Sequence, residues 1–233
     1  MKNDERISSP MILWLSALTL IVISGCSMGG KKSGVTDDNM PHSKPAIDTS
    51  MILETLELYR AKRYESLQDA FNAGIEQVHK LVLYGRELGT LSPEIGKLTY
   101  LQTLDVAFND LTELPAEIAD LHYLQGFYAN GNQLTAFPEQ LLLLPILKSI
   151  DLSENRIVEI PGEIIVMDQL YRLSVNKNML TSIPAQLYEL KNLAVLELEG
   201  NGLSELPGGI DQLPLLKKLD LANNQLRAVP GGL

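Results

Sequence analysis

The sequence predicts an α/β repeat solenoid of about seven stacked coils, and three observations predict it. Asparagine recurs at Asn109, Asn132, Asn155, Asn178, Asn201 and Asn224, always at an interval of 23 residues. Around each asparagine the aliphatic residues fall in one frame, LxxLxLxxNxLxxLPxxIxxLxx. Hydrophobic residues make up 45% and charged residues 21% of the 233, ordinary values for a chain that buries a core. A fixed period of 20 to 50 residues is the signature of an array whose units bury their apolar rows only against one another.

The frame is legible at Leu101, Leu104, Val106, Asn109, Leu111, Leu114, Pro115, Ile118 and Leu121, and again at Leu193, Leu196, Leu198, Asn201, Leu203, Leu206, Pro207, Ile210 and Leu213. Six units begin at Leu101, Leu124, Leu147, Leu170, Leu193 and Leu216. A weaker one begins at Val78, with Arg86 at the asparagine position and Ser92-Pro93 at the Leu-Pro position. Over residues 78–233 the pattern resembles the leucine-rich repeat. That resemblance implies short parallel strands on the concave side and short irregular or 3-10 segments on the convex side.

Each piece of the frame has a physical reason. The LxL core is a short strand whose alternate side chains point inward. Each coil offers about seven aliphatic side chains at roughly 1.5–3 kcal/mol apiece before chain entropy is subtracted, enough to need no disulfide. The asparagine amide has two donors and an acceptor, so it can satisfy backbone groups where the strand bends away, and stacked coils would form a ladder of Asn109, Asn132, Asn155, Asn178, Asn201 and Asn224. The proline fixes φ on the convex side and disfavours a long helix. Phe127 and Ala129 replace two strand aliphatics in one unit, a large-and-small pair that compensates in volume. Arg86 marks the first unit as a deviating terminal coil.

Residues 51–77 read as an N-terminal cap. Ser66 to Asp69 resembles a capping box opening a short helix that runs to about Gly74, with Leu67, Ala70 and Phe71 on one face. In residues 51–63, Ile52, Leu56 and Tyr59 fit helical spacing while other positions alternate, so helix and strand are both open. At the other end, Leu233 falls mid-unit without a polar capping segment, and a last coil that frays or self-associates is the expectation.

The first fifty residues differ in kind. A polar stretch to Pro10 is followed by fifteen apolar or small residues, Met11 to Gly25. As a helix they would span roughly 22 Å, short of the roughly 30 Å hydrocarbon core, which suits an export signal better than a permanent span or an uncleaved anchor. The run ends at the sole cysteine. Ile23-Ser24-Gly25-Cys26 resembles the lipobox of bacterial lipoprotein precursors, and that resemblance implies cleavage after Gly25, a diacylglycerol on the Cys26 sulfur, and an acylated (palmitate-bearing) membrane anchor. Ser27 after the lipid cysteine matches the enterobacterial pattern for the outer membrane. Residues 26–50, rich in Gly, Ser, Lys and Asp with Pro41 and Pro45, read as a tether of about 27 Å root-mean-square reach.

Composition excludes several functions. With 19 Lys plus Arg against 29 Asp plus Glu the net charge is -10, so no general nucleic-acid surface is expected. Removing residues 1–25 takes away Lys2, Arg6, Asp4 and Glu5 and leaves that charge unchanged. One cysteine forbids an internal disulfide, and His42, His79 and His122 are too scattered to suggest a metal site. No GxSxG, HExxH, GxGxxG or GxxxxGK motif occurs, so neither catalysis nor a cofactor is expected.

Function then falls to the third, fifth, seventh and eighth frame positions, which face the concave side. They hold Tyr84, Phe108 and Tyr128 near the N-terminal half; the acids Asp105, Asp151, Glu154, Glu197, Glu199 and Asp220; and the bases Arg172, Lys177 and Lys218. Aromatics beside charges match the composition of protein interfaces, which makes Tyr84, Phe108, Tyr128, Arg172, Lys177 and Glu197 candidates for binding a protein partner. The acids read more simply as solvated charge. The alternative is a structural envelope tether; a peptidoglycan-binding signature or simple coiled coil would point to it, and neither is present.

Overall fold

The computed structural model describes residues 47–228. The signal segment, Cys26, nearly all of the expected tether, and residues 229–233 lie outside the described residues. Eight strands form one open, wholly parallel sheet in chain order: β1 Arg63–Tyr64, β2 Lys80–Val82, β3 Thr103–Asp105, β4 Gly126–Tyr128, β5 Ser149–Asp151, β6 Arg172–Ser174, β7 Val195–Glu197 and β8 Lys218–Asp220. From β2 onward the register advances by 23 residues per strand, Leu81 pairing Leu104, then Phe127, Ile150, Leu173, Leu196 and Leu219.

The middle residue of each strand points into the core. Leu81, Leu104, Phe127, Ile150, Leu173 and Leu196 are fully buried, and so is Ala129 beside Phe127, the large-and-small pair of the frame. In the last coil Leu216, Leu219, Leu221 and Leu226 pack on that core but remain partly exposed. Across the core, the convex side is made of 3-10 turns at Pro93–Lys97, Ala116–Asp120, Glu139–Leu143, Gly162–Val166 and Ala185–Glu189. Four of them are preceded by Pro115, Pro138, Pro161 and Pro184 with φ between -66 and -73. Proline presets the φ that starts each turn, and Ile118, Leu141, Ile164 and Leu187 plug the core from that side. Where Gly208-Gly209 follows the proline, Pro207, the turn shortens to Ile210–Gln212 and starts from Gly209 at φ 112.

The asparagines close each strand's exit. Asn155 Nδ2 donates to Ala129 O at 2.9 Å, one coil back, and to Leu152 O at 3.0 Å in its own coil, while its Oδ1 accepts from Leu134 N at 3.0 Å. Asn109, Asn132, Asn178, Asn201 and Asn224 repeat the arrangement. At the Val78 unit, Arg86 gives only its backbone N–H to Asn109 Oδ1 at 2.9 Å, and its guanidinium turns outward to Glu65 at 3.0 Å. The ladder therefore ends at Asn109 and an ion pair takes over.

The cap departs from the expectation in one respect. The segment 51–63, open between helix and strand in the sequence, forms helix α1 Thr55–Arg60, and β1 begins only at the segment's last residue, so the cap itself contributes the first strand and the sheet has eight rather than seven. Its second helix, α2 Leu67–Ala73, begins where Ser66 Oγ accepts from Asp69 N at 3.0 Å and stops at Gly74, φ 90. A 3-10 turn at Thr49–Met51 straddles the expected border between tether and cap. Among the described residues no helix is long and apolar enough to cross a membrane, and no group of His, Cys, Asp and Glu is placed to hold a metal.

Candidate functional site on the concave sheet

Strand register sorts the concave side chains into rows. The third frame positions carry Lys80, Thr103, Gly126, Ser149, Arg172, Val195 and Lys218, a row that the cap extends with Arg63; two residues further along, the fifth positions carry Val82, Asp105, Tyr128, Asp151, Ser174, Glu197 and Asp220, and Glu65 follows β1 in the cap. Bases therefore line one side and acids the other, and opposite charges meet on the diagonal between neighbouring strands.

Glu197 shows the consequence most fully. It is only 3% exposed, and its carboxylate accepts from Arg172 Nη2 on β6 at 2.5 Å and from Lys218 Nζ on β8. Arg172 and Glu197, read separately from sequence, are thus one network with Lys218. A carboxylate removed from water needs such partners, and here it has one on each flank.

Asp105 and Asp151 correct the expectation of solvated charge. Asp105 is 2% exposed, lying in register between Val82 and Tyr128, and burial pushes its carboxyl above the usual value against the opposing pull of the Ala107 N–H and Arg63. Asp151 is shifted upward by burial too, countered by bonds from Ser153 and by Arg172. Each also ends its strand locally: Asp105 Oδ1 accepts from Ala107 N at 3.0 Å and Asp151 Oδ1 from Ser153 N at 3.0 Å, a two-residue turn that a short acid side chain suits.

The aromatics divide. Tyr84 and Phe108 form a tilted pair with ring centroids 5.2 Å apart, and Phe108 is 41% exposed. Phe108 sits at the eighth frame position, where the backbone turns left-handed in every coil: Gly85, Phe108, Gly131, Glu154, Lys177, Gly200 and Asn223 have φ between 50 and 69. That bend throws the side chain onto the concave rim, and Gly131 makes room, since a Cβ there would stand 2.8 Å from Phe108 Cδ1. Tyr128 is not the exposed anchor expected. Its ring folds back over Gly126, it hydrogen-bonds Ser149, and it is partly buried, with its phenol pushed upward by desolvation. Lys177 is exposed on the same rim and bonds Glu154 at 2.7 Å.

Residues outside the variable strand positions complete the N-terminal end of the surface. Gln102 and Gln125, at the second frame position just ahead of β3 and β4, bond the backbone of residues 51–53. Their partners lie 49 to 72 residues away, so no local pattern signals them.

The parallel sheet, the asparagine ladder and the 3-10 convex turns define a leucine-rich-repeat solenoid. A family profile described as "Leucine rich repeat" matches residues 168–226. Among solved structures the chain is similar to the ectodomain of the plant membrane receptor kinase GASSHO1/SCHENGEN3 from Arabidopsis thaliana, in complex with Casparian strip integrity factor 2; identity is 31% over 58% of this chain and 17% of that one, TM-score 0.54. It is similar to an internalin from Listeria monocytogenes, with 27% identity over 59% of this chain and 39% of that one, TM-score 0.53. It is similar to the plant peptide hormone receptor RGFR1 in complex with RGF2, with 30% identity over 58% and 23%, TM-score 0.53. The chain thus spans well under half the length of these proteins. A search of curated proteins finds no match.

Proposed function

We propose that this protein is a bacterial lipoprotein, anchored through acylated Cys26 in the cell envelope, whose solenoid binds a protein partner on the concave sheet. The observation that carries the binding reading is the Tyr84–Phe108 pair on that sheet, with Phe108 exposed and Tyr84 half-exposed near the N-terminal end. Exposed aromatic anchors are what protein interfaces concentrate, and a rigid sheet holds them with little ordering cost on binding. Two of the similar structures are receptors in complex with protein or peptide ligands, which supports the same use of the fold here. The scaffold has the character of an interaction surface rather than a reaction site.

Anchoring rests on Ile23-Ser24-Gly25-Cys26, the placement of the sole cysteine, and outer-membrane sorting on Ser27. Metabolic palmitate labelling tests it: the wild-type chain incorporates label and Cys26→Ala does not, whereas label retained by Cys26→Ala refutes the anchor. For binding, a photocrosslinking residue at position 108 on the concave rim is compared with one at exposed Leu143 on the convex turn in native membranes. The concave probe captures a discrete protein and the convex probe does not; equal capture refutes the assignment.

A further inference from the structure

The N-terminal segment is seated on the sheet by hydrogen bonds to its backbone. Gln102 Nε2 donates to Met51 O at 2.7 Å, and Gln102 Oε1 accepts from Leu53 N at 2.9 Å, so one amide grips a carbonyl and an N–H two residues apart. Gln125 Nε2 donates to Gln102 Oε1 at 2.9 Å and to Leu53 O at 3.4 Å, and Lys148 Nζ donates to Gln125 Oε1 at 2.9 Å. These three side chains occupy the same frame position on successive coils and form a rail along the strand entrances.

Burial says how closely the segment sits. Gln102 is 0% exposed, although the side chain starts from a surface position of the repeat. Lys148 is pushed downward by desolvation, with Glu54 of the segment opposing that shift. Yet the segment adds little to the core. Ile52, Leu53 and Leu58 are half-exposed and Leu56 is exposed, and none of them joins the aliphatic cluster that holds the coils together. Main-chain bonds to side-chain amides hold it, and such a contact opens at far lower cost than the sheet.

We propose that the Gln102–Gln125 rail is a site for an extended polypeptide backbone, which residues 51–54 occupy in cis and which an extended segment of a protein partner takes over when they leave. Recognition of this kind is indifferent to side chains, since every residue but proline supplies the N–H and the carbonyl that Gln102 reads. The rail lies at the entrances of β3 and β4 while Tyr84 and Phe108 lie past the exits of β2 and β3, so a peptide on it would occupy the edge of the sheet opposite the aromatic pair. This deepens the concave-binding proposal and rests on it for the identity of the competitor, though the cis contact can be tested without any partner.

Leu53→Pro in the full chain removes the N–H that Gln102 accepts and leaves the rail intact. Ile52, at φ -85 and ψ 117, already has the extended conformation required before proline. The probe is a fluorescent synthetic peptide with the sequence of residues 47–58. Hydrogen exchange over 47–60 should rise at least tenfold in Leu53→Pro while β3 to β8 stay protected. The probe should bind Leu53→Pro saturably and wild type at least tenfold more weakly. Adding Gln102→Ala, or the volume-preserving Gln102→Glu, should weaken binding to Leu53→Pro at least tenfold. Unchanged exchange, equal binding to wild type and Leu53→Pro, no binding to a released Leu53→Pro chain, or binding indifferent to Gln102 each overturns the proposal. Because the probe is the chain's own sequence, a failure of the concave-partner reading leaves these outcomes unaffected.

Discussion

Replacing Asn155 with alanine strips the middle rung from the ladder that ends the strands. Four groups feel the loss, to different degrees. Leu134 N–H has Asn155 Oδ1 as its acceptor at 3.0 Å and is left buried without one. Ala129 O, Leu152 O and Ser153 O lose one donor each but keep another, from Asn132 at 3.0 Å, Asn178 at 3.0 Å and Gly131 N at 2.9 Å. A buried orphan N–H costs about 1–3 kcal/mol and each lost neutral bond about 1 kcal/mol net, so the substitution should destabilise by about 3 kcal/mol. Asn224, at the last described rung, is half-buried, and water can replace part of what it supplies; Asn224→Ala should cost about 1 kcal/mol. Equilibrium urea unfolding followed by circular dichroism compares the two at equal denaturant slope. A loss under about 1 kcal/mol for Asn155→Ala, or equal losses at both rungs, would refute the reasoning that the ladder acts by satisfying buried backbone.

Other substitutions probe the concave sheet and the core. Glu197→Gln keeps the shape but leaves Arg172 and Lys218 facing a neutral amide; it should destabilise by about 2 kcal/mol, read from the urea midpoint, since the cations are partly solvated. Asp105 and Asp151 have raised carboxyl values, so the folded state takes up their protons more readily than the unfolded chain. Their share of stability is therefore largest in acid and is lost as pH rises from the ordinary carboxyl value of 3.8 through the raised one. Asp105→Asn keeps the acceptor for Ala107 and should raise the thermal midpoint at pH 7 but not at pH 3. Tyr188 has a buried hydroxyl with no partner among the described residues, and desolvation pushes its phenol up to about 12. Tyr188→Phe should raise stability by about 1 kcal/mol in urea titration.

The coils were legible because a period of 23 residues repeats both the buried aliphatics and the asparagine, two independent signals in one phase. Strand register follows from that period without any further information, as Leu104 over Leu81 shows. What the period cannot carry is contact between different parts of the chain. β1 escaped because its two residues lie outside the frame and gain their strand character only by pairing with Lys80 and Leu81. Asp105 reads as solvated from its own coil because its neighbours on the sheet, Val82 and Tyr128, come from other coils and the ring of Tyr128 turns inward over Gly126. The left-handed bend at the eighth position was hidden as well, since Phe108, Glu154, Lys177 and Asn223 stand where glycine would have announced it.

The concave rim bears the central claim, and Gly131 offers a way to disturb it without removing an aromatic. Gly131→Ala would place a methyl against the Phe108 ring at a left-handed backbone position, displacing the anchor. The most direct measurement takes the protein captured by the position-108 crosslinker and determines its affinity for the wild-type chain, for Tyr84→Ala/Phe108→Ala, and for the convex control Leu143→Ala. Binding through the aromatic pair predicts at least a hundredfold loss in the double variant, as loss of about 3 kcal/mol of anchor contacts requires, and no change in the control. Unaltered affinity in the double variant, with the leucine core intact, would contradict the account.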